Sequence, residues 1–228
     1  MGRENWEKIE DDLNKRIIRY FDIEVEVLRC DSTAVSGYRE VEEGGLFQEG
    51  YNKDNSKRPQ IKLMLGTLEP SDIPAGVDVL PGDKADDRLY KPIIDRINRS
   101  LKKKGLIIIG DSKISSFETI SYINELGHHY LCPLALTGET FKEKEKWIEE
   151  WERRLKRGEL EEVKRPVLNK GDENKVISRG YGFEREREYI RNNEVKKIKE
   201  QVYVVRSESY YNQQSEGLEK RLKNAITK

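Results

Sequence analysis

Leu106-Ile107-Ile108-Ile109-Gly110-Asp111 decides how the rest of the chain is read. Four aliphatic residues in a row, closed by a glycine, are too few for a helix and leave no alternate position for water. The pattern predicts a strand covered on both faces of a sheet, and the strand ends in a carboxylate, Asp111. Just upstream, Leu89, Ile93, Ile94, Ile97 and Leu101 recur at helical spacing, with Asp86 and Asp87 at the helix start and Lys102 to Gly105 at its end. Just downstream, Ser115-x-x-Glu118 is a capping-box pattern opening a helix that carries Phe117, Ile120, Ile123 and Leu126. Residues 130–136 then return as a strand.

Working further upstream, two strand-like runs at 60–68 and 73–80 flank Glu69-Pro70-Ser71-Asp72, whose proline and short polar side chains favour a turn, so they read as a hairpin. Before them Phe21, Ile23, Val25 and Val27 alternate with acidic residues, and Leu28 and Cys30 lead into Asp31. Trp6, Ile9, Leu13 and Ile17 repeat at three- and four-residue intervals, the spacing of an amphipathic helix packed through its apolar stripe. The resulting order is helix, three strands, helix, strand, helix, strand: an α/β core with a mixed sheet flanked by helices.

The character changes after Thr137. Trp147, Ile148, Trp151 and Leu155 form a helical stripe, but charges of both signs dominate residues 142–165, and turn signals recur at 156–158 and 169–172. Residues 201–205 read as a strand, and Leu218, Leu222 and Ala225 as the beginning of a helix. The expected organisation is a leading helix at 1–20, a core at 21–136, a charged α+β insertion module at 137–206 and a final helix at 207–228.

Composition sets bounds. The chain has 228 residues, 35% of them hydrophobic, enough for one sizeable core and a smaller module. Lys+Arg and Asp+Glu both number 43, so net charge gives no argument for nucleic acid and any basic surface must be local. Cys30 and Cys132 have no C-x-x-C partner, which fits buried thiols in a reducing compartment rather than a zinc or redox site. The longest apolar run, residues 106–109, is far short of the roughly 20 residues that span a bilayer, and no signal-peptide core follows Met1. The expectation is a cytoplasmic protein with no membrane partner.

Asp31 and Asp111 are the informative pair, since each follows an apolar strand and ligands of open α/β sheets sit beyond the carboxyl ends of strands. Two converging carboxylates suit hard divalent cations such as Mg²⁺, which can activate an attacking oxygen and stabilise a leaving one. Spacing alone leans instead toward two turn or helix-cap residues.

The words around them carry more. Asp31-Ser32-Thr33-x-x-Ser36-Gly37-Tyr38, Leu46-Phe47-Gln48-x-Gly50-Tyr51-Asn52-Lys53-Asp54, Pro59-Gln60, Pro81-Gly82-x-x-x-Asp86-Asp87 and Gly110-Asp111-Ser112-Lys113 occur in that order. The set closely resembles the catalytic domain of insertion-sequence DDE transposases, and Val204-Val205-Arg206-Ser207 with Gly217-Leu218-Glu219-x-Arg221-Leu222 resembles the segment these enzymes carry after the second aspartate. The resemblance implies an RNase H-like fold, with a β-rich insertion between the second aspartate and the third acidic residue. It implies that Asp31 and Asp111 are the first two catalytic carboxylates, binding Mg²⁺, or Mn²⁺ as substitute, for DNA strand cleavage and transfer. Its partners would be the insertion-sequence ends and target DNA, with a homodimer or an intact transposase as protein partner. The family's third acidic residue, a glutamate on a late helix, has no match here. Glu208, Glu216 and Glu219 sit in a different motif, so the chain reads as incomplete at both ends and inactive by itself. The alternative is a non-catalytic DNA-binding or dimerising remnant.

Three lesser signals remain. Lys53, Lys57 and Arg58, in a polar loop, are candidates for DNA phosphates and equally for a solvated loop. His128 and His129 have no third ligand nearby in sequence and are expected to be structural. Trp147 and Trp151 are expected to be core of the insertion rather than a base-stacking platform.

Overall fold

The computed structural model describes residues 3–50, 58–135, 137–164, 176–191 and 194–226. They fall into two compact units, Met1–Ala135 and Leu136–Lys228. Among the described residues no helix is long and apolar enough to cross a membrane.

The first unit runs α1 (Arg3–Tyr20), β1 (Val27–Ser36), β2 (Gln60–Glu69), β3 (Ile73–Pro81), α2 (Tyr90–Leu101), β4 (Ile107–Ile109), α3 (Phe117–Glu125) and β5 (His129–Leu131). Its sheet has the order β3-β2-β1-β4-β5, antiparallel from β3 to β1 and parallel from β1 to β5. This is the expected mixed α/β sheet with helices packed on it. The hairpin of β2 and β3 turns through residues 70–72, and the connections through α2 and α3 deliver β4 and β5 parallel to β1.

One face of the sheet is packed. Leu28 and Cys30 of β1, Met64 and Leu68 of β2, Ala75 of β3 and Ile108 of β4 meet Ile93, Ile94 and Ile97 of α2, with Ile114 and Ile123 beyond them. Each fully buried isoleucine contributes about 1.5–3 kcal/mol of transfer free energy. The close approach of α2 depends on Gly66 and Gly76, cross-strand partners under it, where an added Cβ would meet Ile97 Cδ1 at 2.3 Å and Ile93 Cδ1 at 2.9 Å respectively. The opposite face is open: Val35, Leu65, Val79, Ile107 and Leu131 are all exposed. The expectation that β4 is covered on both faces therefore fails for Ile107, while Ile108 is fully buried.

The helix at the start of the chain is present, but its expected apolar face points outward, with Trp6, Ile9 and Leu13 exposed. The reason is β3, an edge strand whose outer backbone groups need partners. Glu10 accepts from Val77 N at 3.0 Å, and Asn14 Nδ2 donates to Ala75 O at 2.6 Å. Arg96 of α2 completes the seam, 3.1 Å from Glu10 and 2.8 Å from Asp78. All three side chains are largely buried, so removing one partner would cost about 3–5 kcal/mol.

Element boundaries moved in three places. The alternation at 21–27 is a turn and extended chain, with the strand proper starting at Val27. The cap of α3 is Ser116, whose Oγ accepts from Thr119 N, one residue after the predicted Ser115, which lies in a 3-10 turn, Ser112–Ser115. The strand expected at 130–136 is the shorter β5.

The second unit contains α4 (Gly138–Arg157), β6 (Glu161–Lys164), β7 (Val176–Arg191), β8 (Glu194–Ser207) and α5 (Glu208–Ile226). Its sheet has the order β6-β7-β8 and is antiparallel throughout. Trp147 meets Phe183 with ring centroids 5.6 Å apart, and Trp151 is buried, so both tryptophans are core of this unit. The Arg206 guanidinium lies between the Trp151 ring at 4.5 Å and the Tyr211 ring at 4.2 Å, holding the start of α5. The turn predicted at 169–172 lies outside the described residues.

Candidate active site

The site builds from the register of β1 and β4. Their pairing runs Val27 to Arg29 against Ile107 to Ile109, parallel. Asp31 and Asp111 each follow two residues after the last residue of that pairing, Asp31 within β1 and Asp111 just beyond the end of β4, on neighbouring strands about 4.8 Å apart. Asp31 does not end its strand, contrary to expectation: β1 continues to Ser36 because β2 remains paired with it, Asp31 opposite Leu65. It is exposed, on the open face.

The two carboxylates have unequal support. Asp31 Oδ1 accepts one hydrogen bond, 2.8 Å from Ser32 N. Asp111 caps the 3-10 turn that follows it, its Oδ1 accepting from Lys113 N at 2.8 Å. The same Oδ1 accepts from the Tyr90 hydroxyl at 2.7 Å. Among the described residues the second oxygen of each carboxylate accepts no hydrogen bond. Burial, reinforced by the adjacent Asp111 carboxylate, pushes the Tyr90 phenol well above its ordinary range, so it stays a donor. Cys30, beside Asp31 in sequence, points into the core; burial pushes its thiol up to about 12, which keeps it inert.

Oxygen-only donors in this pair fit a hard divalent cation and exclude nothing from the remaining positions of an octahedral shell. Among the described residues no group of three His, Cys, Asp or Glu side chains is placed to hold a metal ion. Glu208 is engaged elsewhere, with Arg179 at 3.0 Å and Arg206 at 3.1 Å.

Arg58 stands beyond the Ser36 end of β1, where Pro59 O accepts from Gly37 N, with its guanidinium 4.2 Å from the Tyr38 ring centre. Lys53 and Lys57 lie outside the described residues, as do the side chains of Asp86 and Asp87. His128 is structural: Nδ1 accepts from Leu106 N at 3.3 Å and Nε2 lies 3.0 Å from Asn98 Oδ1. Tyr90 was not legible as part of the site. Its only sequence signal was an aromatic residue at the start of the helix preceding β4.

The profile of the transposase DDE domain matches residues 26–223. The chain belongs to this family. No curated protein matches it. Among solved structures, the Mos1 transposase paired-end complex with a left transposon end is 12% identical, with 60% of this chain and 44% of that chain covered and a TM-score of 0.35. The catalytic domain of Mos1 mariner transposase is 10% identical over 60% of this chain and 64% of that one, at a TM-score of 0.31. The piggyBac transposase synaptic complex with hairpin DNA is 12% identical over 61% of this chain and 32% of that one, at 0.39. This chain spans less than two thirds of each of them.

Proposed function

We propose that this chain is part of the strand-cleavage and strand-transfer machinery of a DNA transposase, with Asp31 and Asp111 as two of the carboxylates that would hold Mg²⁺, or Mn²⁺ in its place. The supporting observation is that two carboxylates of a transposase DDE domain follow the same parallel pairing of β1 and β4 by two residues each, and each has an oxygen uncommitted among the described residues. When bound, the cation supplies Lewis acidity toward a phosphodiester and its attacking hydroxyl. The chain's own residues hold that geometry: β1 and β4 fix the carboxylate backbones, and the turn at Ser112–Ser115 fixes Asp111. Arg58, with Lys53 and Lys57 shortly before it in sequence, would take the phosphates of insertion-sequence ends or target DNA. A homodimer or an intact transposase is the proposed protein partner, in the cytoplasm.

A second reading, a non-catalytic DNA-binding or dimerising remnant, is favoured by one observation: the described residues bring no third ligand to the pair. Nicking of supercoiled plasmid in Mg²⁺ or Mn²⁺ separates the two. Cleavage that Asp31→Ala and Asp111→Ala each abolish supports the enzyme. A folded chain that shifts DNA but nicks none supports the remnant.

A further inference from the structure

Tyr90 is the first residue of α2, with no exposed surface, yet its hydroxyl reaches the candidate site from the buried face of the helix. Its ring cannot drift. Gly110, directly before Asp111, sits against it so closely that an added Cβ would lie 3.0 Å from Tyr90 Cε1 and 3.1 Å from Ile114 Cδ1. Ile114 is itself fully buried. The phenol oxygen is thereby fixed by core packing and lies 2.7 Å from Asp111 Oδ1.

Asp111 Oδ1 has two lone pairs, and two donors occupy it: the Tyr90 hydroxyl from one side and Lys113 N, at 2.8 Å, from the other. One donor leaves a carboxylate free to rotate about its Cβ–Cγ bond; two on the same oxygen fix the plane and leave Oδ2 facing away. Asp31, with only the adjacent Ser32 N, has no such constraint. A hydroxyl whose sole purpose were its own satisfaction could be met by water or a backbone carbonyl. Here it is spent on an exposed carboxylate, at the cost of holding a polar tip under the sheet edge.

We propose that Tyr90 is a positioning residue for metal binding: it orients Asp111 so that Oδ2 is presented to a divalent cation before the cation arrives. The proposal rests on the assignment of Asp31 and Asp111 as the metal-holding pair. It makes Asp111 the rigid ligand and Asp31 the adaptable one, and it ties the cation site to the packing of α2. Partners of this kind around a metal ligand are commonly worth about 10–100-fold in metal affinity.

The test is Mn²⁺ binding to the full chain, measured by the electron paramagnetic resonance of free Mn²⁺, with thermal melting of every variant. Asp31→Ala and Asp111→Ala should abolish the site seen in the unmodified chain. Tyr90→Phe, which keeps the ring and removes only the hydroxyl, should weaken Mn²⁺ about 10-fold or more while remaining folded. Tyr122→Phe removes a comparable hydroxyl, bonded to Asp95 rather than Asp111, and should bind Mn²⁺ as the unmodified chain does. Gly110→Ala gives a second route, crowding the ring while keeping the hydroxyl: it should weaken Mn²⁺ by itself and add little on top of Tyr90→Phe, because both act on one contact. It decides the matter should Tyr90→Phe melt below the assay temperature. Binding by Tyr90→Phe within about 2-fold of the unmodified chain, with both aspartate variants dead, overturns the role of Tyr90 and leaves the metal pair standing. An unmodified chain with no Mn²⁺ site sensitive to either aspartate overturns both.

Discussion

Asp31 and Asp111 each stand two residues beyond the end of the pairing between β1 and β4, at Arg29 and Ile109, yet the fold supports them unequally. Asp111 caps a turn and receives a buried phenol; Asp31 receives only the N–H of its neighbour. Their alanine substitutions should therefore differ in stability while agreeing in function. Asp111→Ala removes a cap and strands the Tyr90 hydroxyl, a loss of about 1–3 kcal/mol. Asp31→Ala, at an exposed position with no other partner, should stay within about 0.5 kcal/mol. Urea unfolding measures both, and equal losses would contradict the asymmetry.

His128 makes the first unit sensitive to mild acid. Burial is the main force holding its pKa below the ordinary 6.5, with His129 and Lys104 adding to it. Nδ1 accepts from Leu106 N, so Nε2 carries the proton toward Asn98. Protonation would put two N–H groups face to face at Nδ1. The folded pKa is depressed, so below 6.5 the unfolded chain binds the proton first, and the contribution of His128, complete above that value, is lost as pH falls toward the folded pKa. Melting temperature should drop between pH 7.5 and 5.5 by more in the unmodified chain than in His128→Gln, whose neutral amide does not titrate. Parallel pH profiles would show that the loss comes from elsewhere.

In the second unit the comparable point is Arg206. Planarity lets its guanidinium stack between Trp151 and Tyr211, while Glu208 takes one N–H. Lysine keeps the charge and loses the two ring faces. Arg206→Lys should therefore destabilise this unit by about 1–2 kcal/mol, and the emission of Trp151 should move to the red as the ring gains water. An unchanged spectrum and midpoint would mean that charge alone holds α5.

How much of this was legible depended on whether a signal was local. The strands at 60–69 and 73–81 and helix α2 announced themselves through period and turn chemistry, and Asp111 through its place after an apolar run. The face of α1 could not be read, because the groups that turn its polar side inward, Val77 N and Ala75 O, belong to a strand edge far along the chain. The strand that carries Asp31 was ended too early, since β1 is prolonged by a partner that the local pattern does not contain. The long strand β7 went unread for a related reason: Arg185 and Arg187 face inward and are neutralised by Glu200 across the hairpin, so its inner face looks charged in sequence. Tyr90 was hidden because its role depends on a contact 21 residues away.

Arg58 offers a test of the proposed DNA contact that does not depend on catalysis. It is exposed, its guanidinium rests on the Tyr38 ring, and it lies past Ser36, five residues and roughly 17 Å along β1 from Asp31. A phosphate contact is sequence-independent and releases counterions, so its removal lowers affinity alike for all sequences and flattens the salt dependence by about 0.9 in log–log slope. Arg58→Ala should do both in a fluorescence anisotropy titration of a labelled duplex over a range of KCl concentrations. Tyr38→Leu, which frees the guanidinium without removing its charge, should weaken binding less and leave the slope as it was. If Arg58→Ala gives a line parallel to that of the unmodified chain, its effect is on structure alone, and the phosphate-binding role falls to other cations.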